Sequence, residues 1–556
     1  MRRLVRCVVI GVLSYLVLSS PVLGQSAGDR ADPGRIERRI EDIQETLPRP
    51  DVAPPVLPTA PEPERPSEAE LSFLLSAVVF EGNTRFPASD FIPFYEDFLL
   101  QQIGRKEVEA IASAVTEYYR SRGYLLSWAE VPAQSVSAGV LRVRVIEGHV
   151  TRTILAESFS ENQAIARFVS EIEAERPLSR QTLEKYLLLI EDLPGVTIER
   201  STLSSTDQPG QFVLSVTGRE DRLDGGAYLD NRGTPESGRW QALLVAGENN
   251  TLGLGEHLEL DFFTVPNEPA ELLYFGVRSS LPVGSLGTMV FLDASQSFQE
   301  PGASLEDVNS EGDATRIKSG LKHPVIRKRE FSLWVGSSFE IINVDEDRNN
   351  SAFVRDRLRV VRGSIELRAR DEWAGSTLAE FEVSRGLDII GASDEGDPTL
   401  SRDDGDPDFT KLAVDVTRIQ KIYGPVQLRA AASGQIARNP LLSSEEFDLG
   451  GSQFGRAYDF SELSGDHGLA GSLELRLNSE ETDLGRFQLY SFIDGGAVWQ
   501  KGSSDSDELV SAGAGVRWLL LERLNLGLEL AQPINRDVDS TGDRDLRVLF
   551  SVAARY

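Results

Sequence analysis

About sixteen short segments of apolar–polar alternation, with no helix between them, predict that residues 221–556 form an all-β transmembrane barrel of about sixteen antiparallel strands. Residues 71–220 change twice between helical and strand periodicity, which predicts two small α+β units ahead of the barrel. A basic, then apolar, leader places both parts in an exported protein.

In the leader, Arg2, Arg3 and Arg6 precede the apolar run Cys7–Leu18, then Ser19-Ser20 and Val22-Leu-Gly24. The run is short of the ~20 residues that a spanning helix needs, so residues 1–24 read as a cleavable signal peptide. A lipidated cysteine would end the apolar region, whereas Cys7 opens it. Cleavage near Gly24 removes the only cysteine, so no disulfide is available to the mature chain.

Residues 34–47 place Ile36, Ile40, Ile43 and Leu47 at helical spacing among Glu37, Arg38, Arg39, Glu41 and Asp42. A charged helix this short with a narrow apolar stripe is marginal in water and needs a surface to dock on. Residues 48–70 carry a run of prolines from Pro48 to Pro66, which predicts an extended, semi-rigid tether.

The first α+β unit, 71–150, is predicted from a strand at Ala77–Phe80, a turn at Gly82-Asn83, a helix from Arg105 to Arg122 stopped by Gly123, and an alternating strand from Val140 to Ile146. The second, 151–220, has helical stretches Gln163–Glu173 and Ser179–Leu193, the break Pro194-Gly195, and a strand Gln211–Val216.

In the barrel region, Leu258, Leu260 and Phe262 oppose His257, Glu259 and Asp261, and Leu524, Leu526, Leu528 and Leu530 oppose Arg523, Asn525, Gly527 and Glu529. One apolar and one polar face on successive strands suits a lipid-facing exterior and a wet lumen. A soluble sandwich or propeller would show Greek-key or blade spacing instead. Strands are expected to begin near Arg222, Trp240, His257, Ala270, Gly287, Thr315, Glu330, Leu358, Ser376, Phe409, Val426, Leu469, Arg486, Val510, Arg523 and Leu546. Tight turns (Val325–Arg329, Tyr423–Pro425, Leu521-Glu522) alternate with acidic connections expected to be long loops: Glu300–Asp313, Asn343–Asp356, Asp394–Asp408, Ser503–Glu508 and Asn535–Asp545. In such barrels long loops face outside and short turns face the periplasm.

The net charge of −30 argues against a nucleic-acid partner. The four histidines, His149, His257, His323 and His467, lack metal-ligand spacing, and neither a Gly-x-Ser-x-Gly elbow nor a phosphate loop occurs. No metal, cofactor or catalytic site is expected, and the chain does not read as an enzyme.

Several motifs occur in order in the first unit: Phe80-Glu-Gly-Asn83, Tyr118-Tyr-Arg-Ser-Arg-Gly-Tyr124, Val131-Pro-Ala-Gln134 and Gly139-Val-Leu-Arg-Val-Arg-Val-Ile-Glu-Gly148. Together they resemble the first polypeptide-transport-associated (POTRA) domain of two-partner secretion transporters of the hemolysin and filamentous hemagglutinin secretion-activation type. Gly82, Asn83, Tyr119, Gly123, Tyr124, Pro132, Gln134 and Gly148 carry the likeness. The second unit resembles that family's second POTRA domain mainly through Leu193-Pro-Gly195.

Near the C-terminus, Gly455-Arg-Ala-Tyr458 lies in the connection between strands eleven and twelve, and Phe492-Ile-Asp-Gly-Gly496 lies in strand thirteen. Period-two placement puts Asp494 on the lumen face with Gln488, Tyr490 and Phe492. This arrangement resembles the BamA-like outer-membrane superfamily, in which a sixth loop folds into the lumen and its tip arginine meets an aspartate in a Phe-x-Asp-x-Gly wall motif, carried here by Phe492, Asp494 and Gly496. The resemblance implies a latch between Arg456 and Asp494, with the guanidinium able to grip the carboxylate bidentately. The usual tip reads Val-Arg-Gly-aromatic. Here Gly455 and Ala457 flank the arginine, and alanine disfavours a positive φ.

The resemblance further implies an outer-membrane transporter that passes a large secreted exoprotein from POTRA domains through the lumen, with the 34–47 helix as a plug. The partners implied are that exoprotein, outer-membrane lipids and the barrel-insertion machinery, recognised through the terminal aromatic Tyr556. An assembly or insertion factor of the same superfamily and a passive porin are the alternative readings. The former usually has three or more POTRA units, and the latter leaves residues 71–220 unexplained.

Overall fold

The computed structural model describes residues 32–46, 72–136, 138–483, 485–521 and 523–556. The expected signal peptide (1–24), the proline-rich tether (48–70) and Leu47 lie outside them.

The first unit contains β1 (Ser72–Leu74), β2 (Ala77–Glu81), β3 (Gln102–Gly104), β4 (Trp128–Glu130) and β5 (Val140–Ile146). The strands form a β1–β3 pair and a sheet ordered β2-β5-β4. One helix, Arg105–Ser121, covers them by burying Val108, Ile111, Val115 and Tyr119 against Leu141, Val143 and Val145. The Glu107 carboxylate accepts from the Gly104 N–H at 2.7 Å and closes the first turn. At the other end Gly123 adopts φ +90°, its N–H donates to Arg120 O at 2.9 Å, and the Tyr124 N–H donates to Tyr119 O at 3.0 Å. That pair of bonds is a Schellman stop, the physical content of the Arg-Gly-Tyr motif.

The second unit repeats the plan. Its strands β6 (His149–Leu155), β7 (Val196–Ser205) and β8 (Gln211–Glu220) are ordered β6-β8-β7. Its helices span Gln163–Ala174 and Arg180–Glu191, capped by the side chains of Asn162 and Ser179. Phe159, Phe168, Ile172, Leu187 and Leu214 fill the core. Two expectations are corrected here. The boundary at 151 falls inside β6, because only Glu147-Gly148 separates it from β5. Strand β7 was not expected, since its sequence is half Ser and Thr and carries few apolar residues.

The wall begins with β9 (Leu223–Asp230), β10 (Gln241–Asn249), β11 (His257–Thr264), β12 (Leu273–Val283), β13 (Thr288–Gln299) and β14 (Ser310–Arg327). It continues with β15 (Phe331–Arg348), β16 (Ser351–Arg370), β17 (Gly375–Gly386), β18 (Thr410–Tyr423) and β19 (Val426–Ala437). Connection 438–466, the sixth loop at its end of the wall, carries the small β20 (Phe447–Leu449) and β21 (Leu463–Gly465) pair. Strands β22 (His467–Asn478), β23 (Arg486–Trp499), β24 (Asp507–Leu520), β25 (Leu524–Pro533) and β26 (Arg547–Arg555) complete the wall, and β26 pairs with β9 to close a barrel of sixteen strands. Alternation sets the faces: Ile493 is 53 % exposed on the outside, while neighbouring Phe492 is 5 % exposed on the inside.

Several connections depart from expectation. Residues 343–356 are not a long loop. Strands β15 and β16 run on to a two-residue turn at Asn349 and Asn350, both at positive φ (51° and 60°), as a type I′ hairpin requires. The charges that suggested a loop pair across the hairpin, Arg355 with Asp345 at 3.0 Å and Arg357 with Asp345 at 2.7 Å. Likewise β14 and β24 begin at Ser310 and Asp507, inside segments expected to be loop, and β14 runs to Arg327, so the turn before β15 is only 328–330.

The second unit sits at one end of the barrel, hereafter the near end. Arg327 bonds both oxygens of Asp192 (2.6 and 2.7 Å), the Arg329 N–H donates to Glu184, and Arg167 donates to Pro282 O at 3.0 Å. These contacts reach the near-end turns between β12 and β15, and the Gln163 N–H adds one to Gly253 O in the turn before β11.

A charge on the outward face of β23 tests the barrel orientation. Ile493→Arg is expected to lower stability by about 2–4 kcal/mol, as at a bilayer midplane, read by urea unfolding from liposomes. An unchanged midpoint would put that face in water.

Candidate functional site

The sixth loop folds back into the lumen, and its tip is bonded to the wall at several points. Gly455 takes φ +83° and turns the chain so that Arg456 points at the wall. Ala457, where positive φ was a concern, is not among the positive-φ residues and is fully buried. The glycine preceding the arginine supplies the turn that the alanine would resist.

Asp494 holds the tip mainly through its backbone. Its Oδ1 accepts from the Gly455 N–H at 2.9 Å, the Arg456 N–H at 3.2 Å and the Ser511 hydroxyl. Its Oδ2 lies 3.1 Å from Arg456 Nε as an ion pair without hydrogen-bond alignment. The bidentate grip expected from sequence is therefore corrected. The fork of the guanidinium turns to other groups: Nη1 is 2.6 Å from Glu474 and 3.6 Å from Glu529, Nη2 is 3.4 Å from Ser472 Oγ, and the Phe492 ring centroid is 4.3 Å away. Tyr458 packs on the same stretch of wall, its hydroxyl within 3.3 Å of Val510 O on β24 and of Asn535 Oδ1 and Arg536 O just after β25. A Cβ at Gly496 would lie 2.5 Å from Leu469 O and 2.9 Å from Leu449 of the loop, so the motif glycine lets loop and wall approach.

Glu474 and Glu529 were missed by sequence reasoning. Both sit at lumen positions between lipid-facing leucines, Leu473 and Leu475 or Leu528 and Leu530. Their isolation was the available signal; their partners, on other strands, were not readable locally. Glu474 also accepts from Arg476 at 2.5 Å and Arg517 at 2.9 Å, and Glu529 from Arg232 at 2.7 Å and Tyr490 at 2.8 Å.

The loop has a second hold. Glu445, buried at its near shoulder, meets Arg362 at 2.6 Å and Lys411 at 2.8 Å, and Arg362 continues to Glu340 at 2.7 Å.

The helix Ile36–Thr46 lies in the lumen beside this loop. Ile36, Ile40 and Ile43 are buried among Tyr228, Leu243, Phe263 and Tyr274 of the β9–β12 wall. Its polar flank bonds loop and wall: Arg35 to Glu446 (2.9 Å) and Asp448 (2.8 Å), Arg38 to Asp448 (2.8 Å), Arg39 to Asp230 (2.9 Å). Glu446 is shared with Arg402 of the connection before β18 at 3.0 Å. Helix and loop leave two cavities in the lumen, of about 700 and 340 Å³.

The residues that carry the POTRA likeness are brought together in the first unit. Glu147, between Ile146 and Gly148, accepts from the Tyr119 hydroxyl at 2.7 Å and the Arg85 N–H at 2.8 Å, which ties the turn after Gly82 to the helix. The Asn83 amide donates to Phe86 O at 2.9 Å. The Gln134 side chain, following Pro132, exchanges two bonds with the Arg142 backbone (2.7 and 2.8 Å), filling the β5 edge that short β4 leaves open. Cβ atoms at Gly82 and Gly148 would meet carbonyl oxygens at 2.3 and 2.1 Å. Among the described residues no group of three or more His, Cys, Asp or Glu side chains is placed to hold a metal ion.

Known proteins resemble this chain in both of its parts. Residues 212–518 match the model of the haemolysin secretion/activation protein ShlB/FhaC/HecB family, and residues 73–148 match the POTRA domain, ShlB-type. The heme/hemopexin transporter protein HuxB of Haemophilus influenzae is 22% identical over 550 residues, 94% of each chain. The outer membrane transporter CdiB of Escherichia coli is 24% identical over 523 residues, 90% of this chain and 85% of that one. The solved structure of CdiB from Escherichia coli superposes with a TM-score of 0.77 at 22% identity, covering 96% of this chain and 100% of that one, and shares the fold.

Arg456→Ala would leave Asp494 buried without its cation and take one of several cations from Glu474 and Glu529. Uncompensated buried charge of this kind costs about 3–5 kcal/mol. We expect a matching fall in the urea midpoint of the folded barrel and new protease cleavage within 450–460, with Arg456→Lys recovering only part because one ammonium cannot reach three carboxylates.

Proposed function

We infer that this chain, which belongs to the haemolysin secretion/activation protein family ShlB/FhaC/HecB, is an outer-membrane two-partner secretion transporter that moves a large exoprotein through its barrel. The observation that carries the reading is the lumen content. A helix and a folded-back loop occupy the interior of a closed barrel, and both are held largely by ion pairs and hydrogen bonds. A wet lumen can exchange such bonds for water at modest net cost, whereas a packed apolar core could not be emptied this way.

The two N-terminal units would lie in the periplasm as two POTRA domains, the near end would be the periplasmic mouth, and the acidic connections would face outside. Residues 1–24 would direct export, and the exposed terminal Tyr556 would present the chain to the insertion machinery. The β2 edge of the first unit is paired only on its β5 side among the described residues, so it offers backbone groups on which an unfolded exoprotein can add a strand. The helix acts as a plug. Its proline-rich tether, at ~3.1 Å per residue when extended, spans tens of Å and lets the helix leave without detaching. Two N-terminal units and a tethered helix favour secretion over barrel assembly.

Arg456→Ala and Asp494→Ala should each abolish secretion of the exoprotein partner while barrel levels in the membrane stay comparable. Normal secretion by both variants would reject the latch. Deleting residues 34–47 should raise single-channel conductance in planar bilayers severalfold, and unchanged openings would show that the helix does not obstruct the lumen.

A further inference from the structure

The smaller lumen cavity, about 340 Å³, is walled by β19 and β22–β26 beneath the loop tip. Five arginines line it, Arg232, Arg429, Arg456, Arg476 and Arg517, against two glutamates, Glu474 and Glu529. Glu529 is taken by Arg232, Tyr490 and Arg456. Glu474 is taken by Arg456, Arg476 and Arg517.

Arg429 is left over. It stands directly across from Glu474 in the β19–β22 register, yet its guanidinium forms no ion pair or hydrogen bond with any described residue. It also lines the larger cavity, where Asp415 of β18 is the carboxylate on the adjoining strand. A half-buried guanidinium beside an already saturated carboxylate is a donor fork held open toward the lumen.

Position adds a direction. Arg429, Arg476 and Arg517 all lie two to three residues inside the near ends of their strands. At ~3.3 Å per residue that is about 7–10 Å within the mouth. The second unit bonds to near-end turns between β10 and β15, on the other side of the rim. Among the described residues the second unit makes no hydrogen bond or ion pair to the rim between β18 and β25, and an unfolded chain entering there meets these arginines first.

We propose that Arg429, backed by Arg476 and Arg517, forms an entry site on the lumen wall that binds side-chain carboxylates of the extended exoprotein. This rests on the transport reading above and assigns one subsite to the path. The excess of positive charge attracts acidic segments, and the open fork of Arg429 supplies the charge-assisted hydrogen bonds that hold them.

The test uses the full-length protein in planar bilayers, with an unstructured decapeptide of alternating Glu and Gly added at the near side. Current blocks by this peptide should outlast those by its Lys–Gly counterpart. Arg429→Gln should shorten them about tenfold, the size of one charge-assisted bond in a partly wet site, while Arg429→Lys keeps most of the dwell time. Arg429 has no internal partner to lose, so its variants should insert normally, as gel mobility without heating will show. Equal dwell times for acidic and basic peptides, or no effect of Arg429→Gln, would overturn the proposal. An equal Arg429-dependent current loss with sulfate alone would also overturn it, by reducing the site to a small-anion site. The bilayer assay needs no secreted partner. A chain that secretes nothing yet shows Arg429-dependent block keeps the site and loses the transport reading; normal secretion with peptide indifference does the reverse.

Discussion

One buried cation organises the interior of this barrel. Arg456 is carried on a loop, but every group that satisfies it belongs to the wall: Ser472 and Glu474 on β22, Phe492 and Asp494 on β23, and Glu529 on β25. Carboxylates on three strands cannot be held close without a counter-charge between them. Loop position and wall electrostatics are thus one problem with one solution. Because Asp494 holds the tip by its amides and Glu474 holds it by its side chain, the tip is fixed in both position and orientation.

The rest of the lumen follows the same rule at lower stringency. Glu445 anchors one shoulder of the loop to Arg362 and Lys411, and Glu446 joins the loop to the lumen helix and to the connection before β18. The helix adds a narrow apolar seam of three isoleucines against aromatic and aliphatic wall residues. Fully burying such side chains stabilises by about 1.5–3 kcal/mol each, a modest sum against the ordering of a short helix. The seam holds the helix in register with the wall, and the ion pairs give it exchangeable contacts. A body that has to enter and leave a lumen needs that balance.

Much of this was legible along the chain. Period-two alternation located all sixteen wall strands to within several residues, and the Gly-Arg-Ala-Tyr and Phe-Ile-Asp-Gly-Gly segments pointed to Arg456 and Asp494 before any fold was known. The Schellman stop at Gly123-Tyr124 was equally visible, because its bonds span only six residues. Loop lengths were read less well. Charge was taken as a mark of solvent-exposed loop at 343–356, where Asp345 and Arg355 in fact face each other across a hairpin.

The sequence alone determined whatever depends on neighbours along the chain: which residues face lipid, where helices stop, and where strands end in glycine turns. Steric and hydrophobic preferences with periods of two and 3.6 residues are local, and they survive without knowledge of the fold. Only the tertiary structure decided which charges meet. Glu474, Glu529 and Arg429 are ordinary lumen residues until strand pairing brings β19, β22, β23 and β25 around one arginine. Ion-pair choice depends on distance across strands tens of residues apart, and no local pattern encodes it.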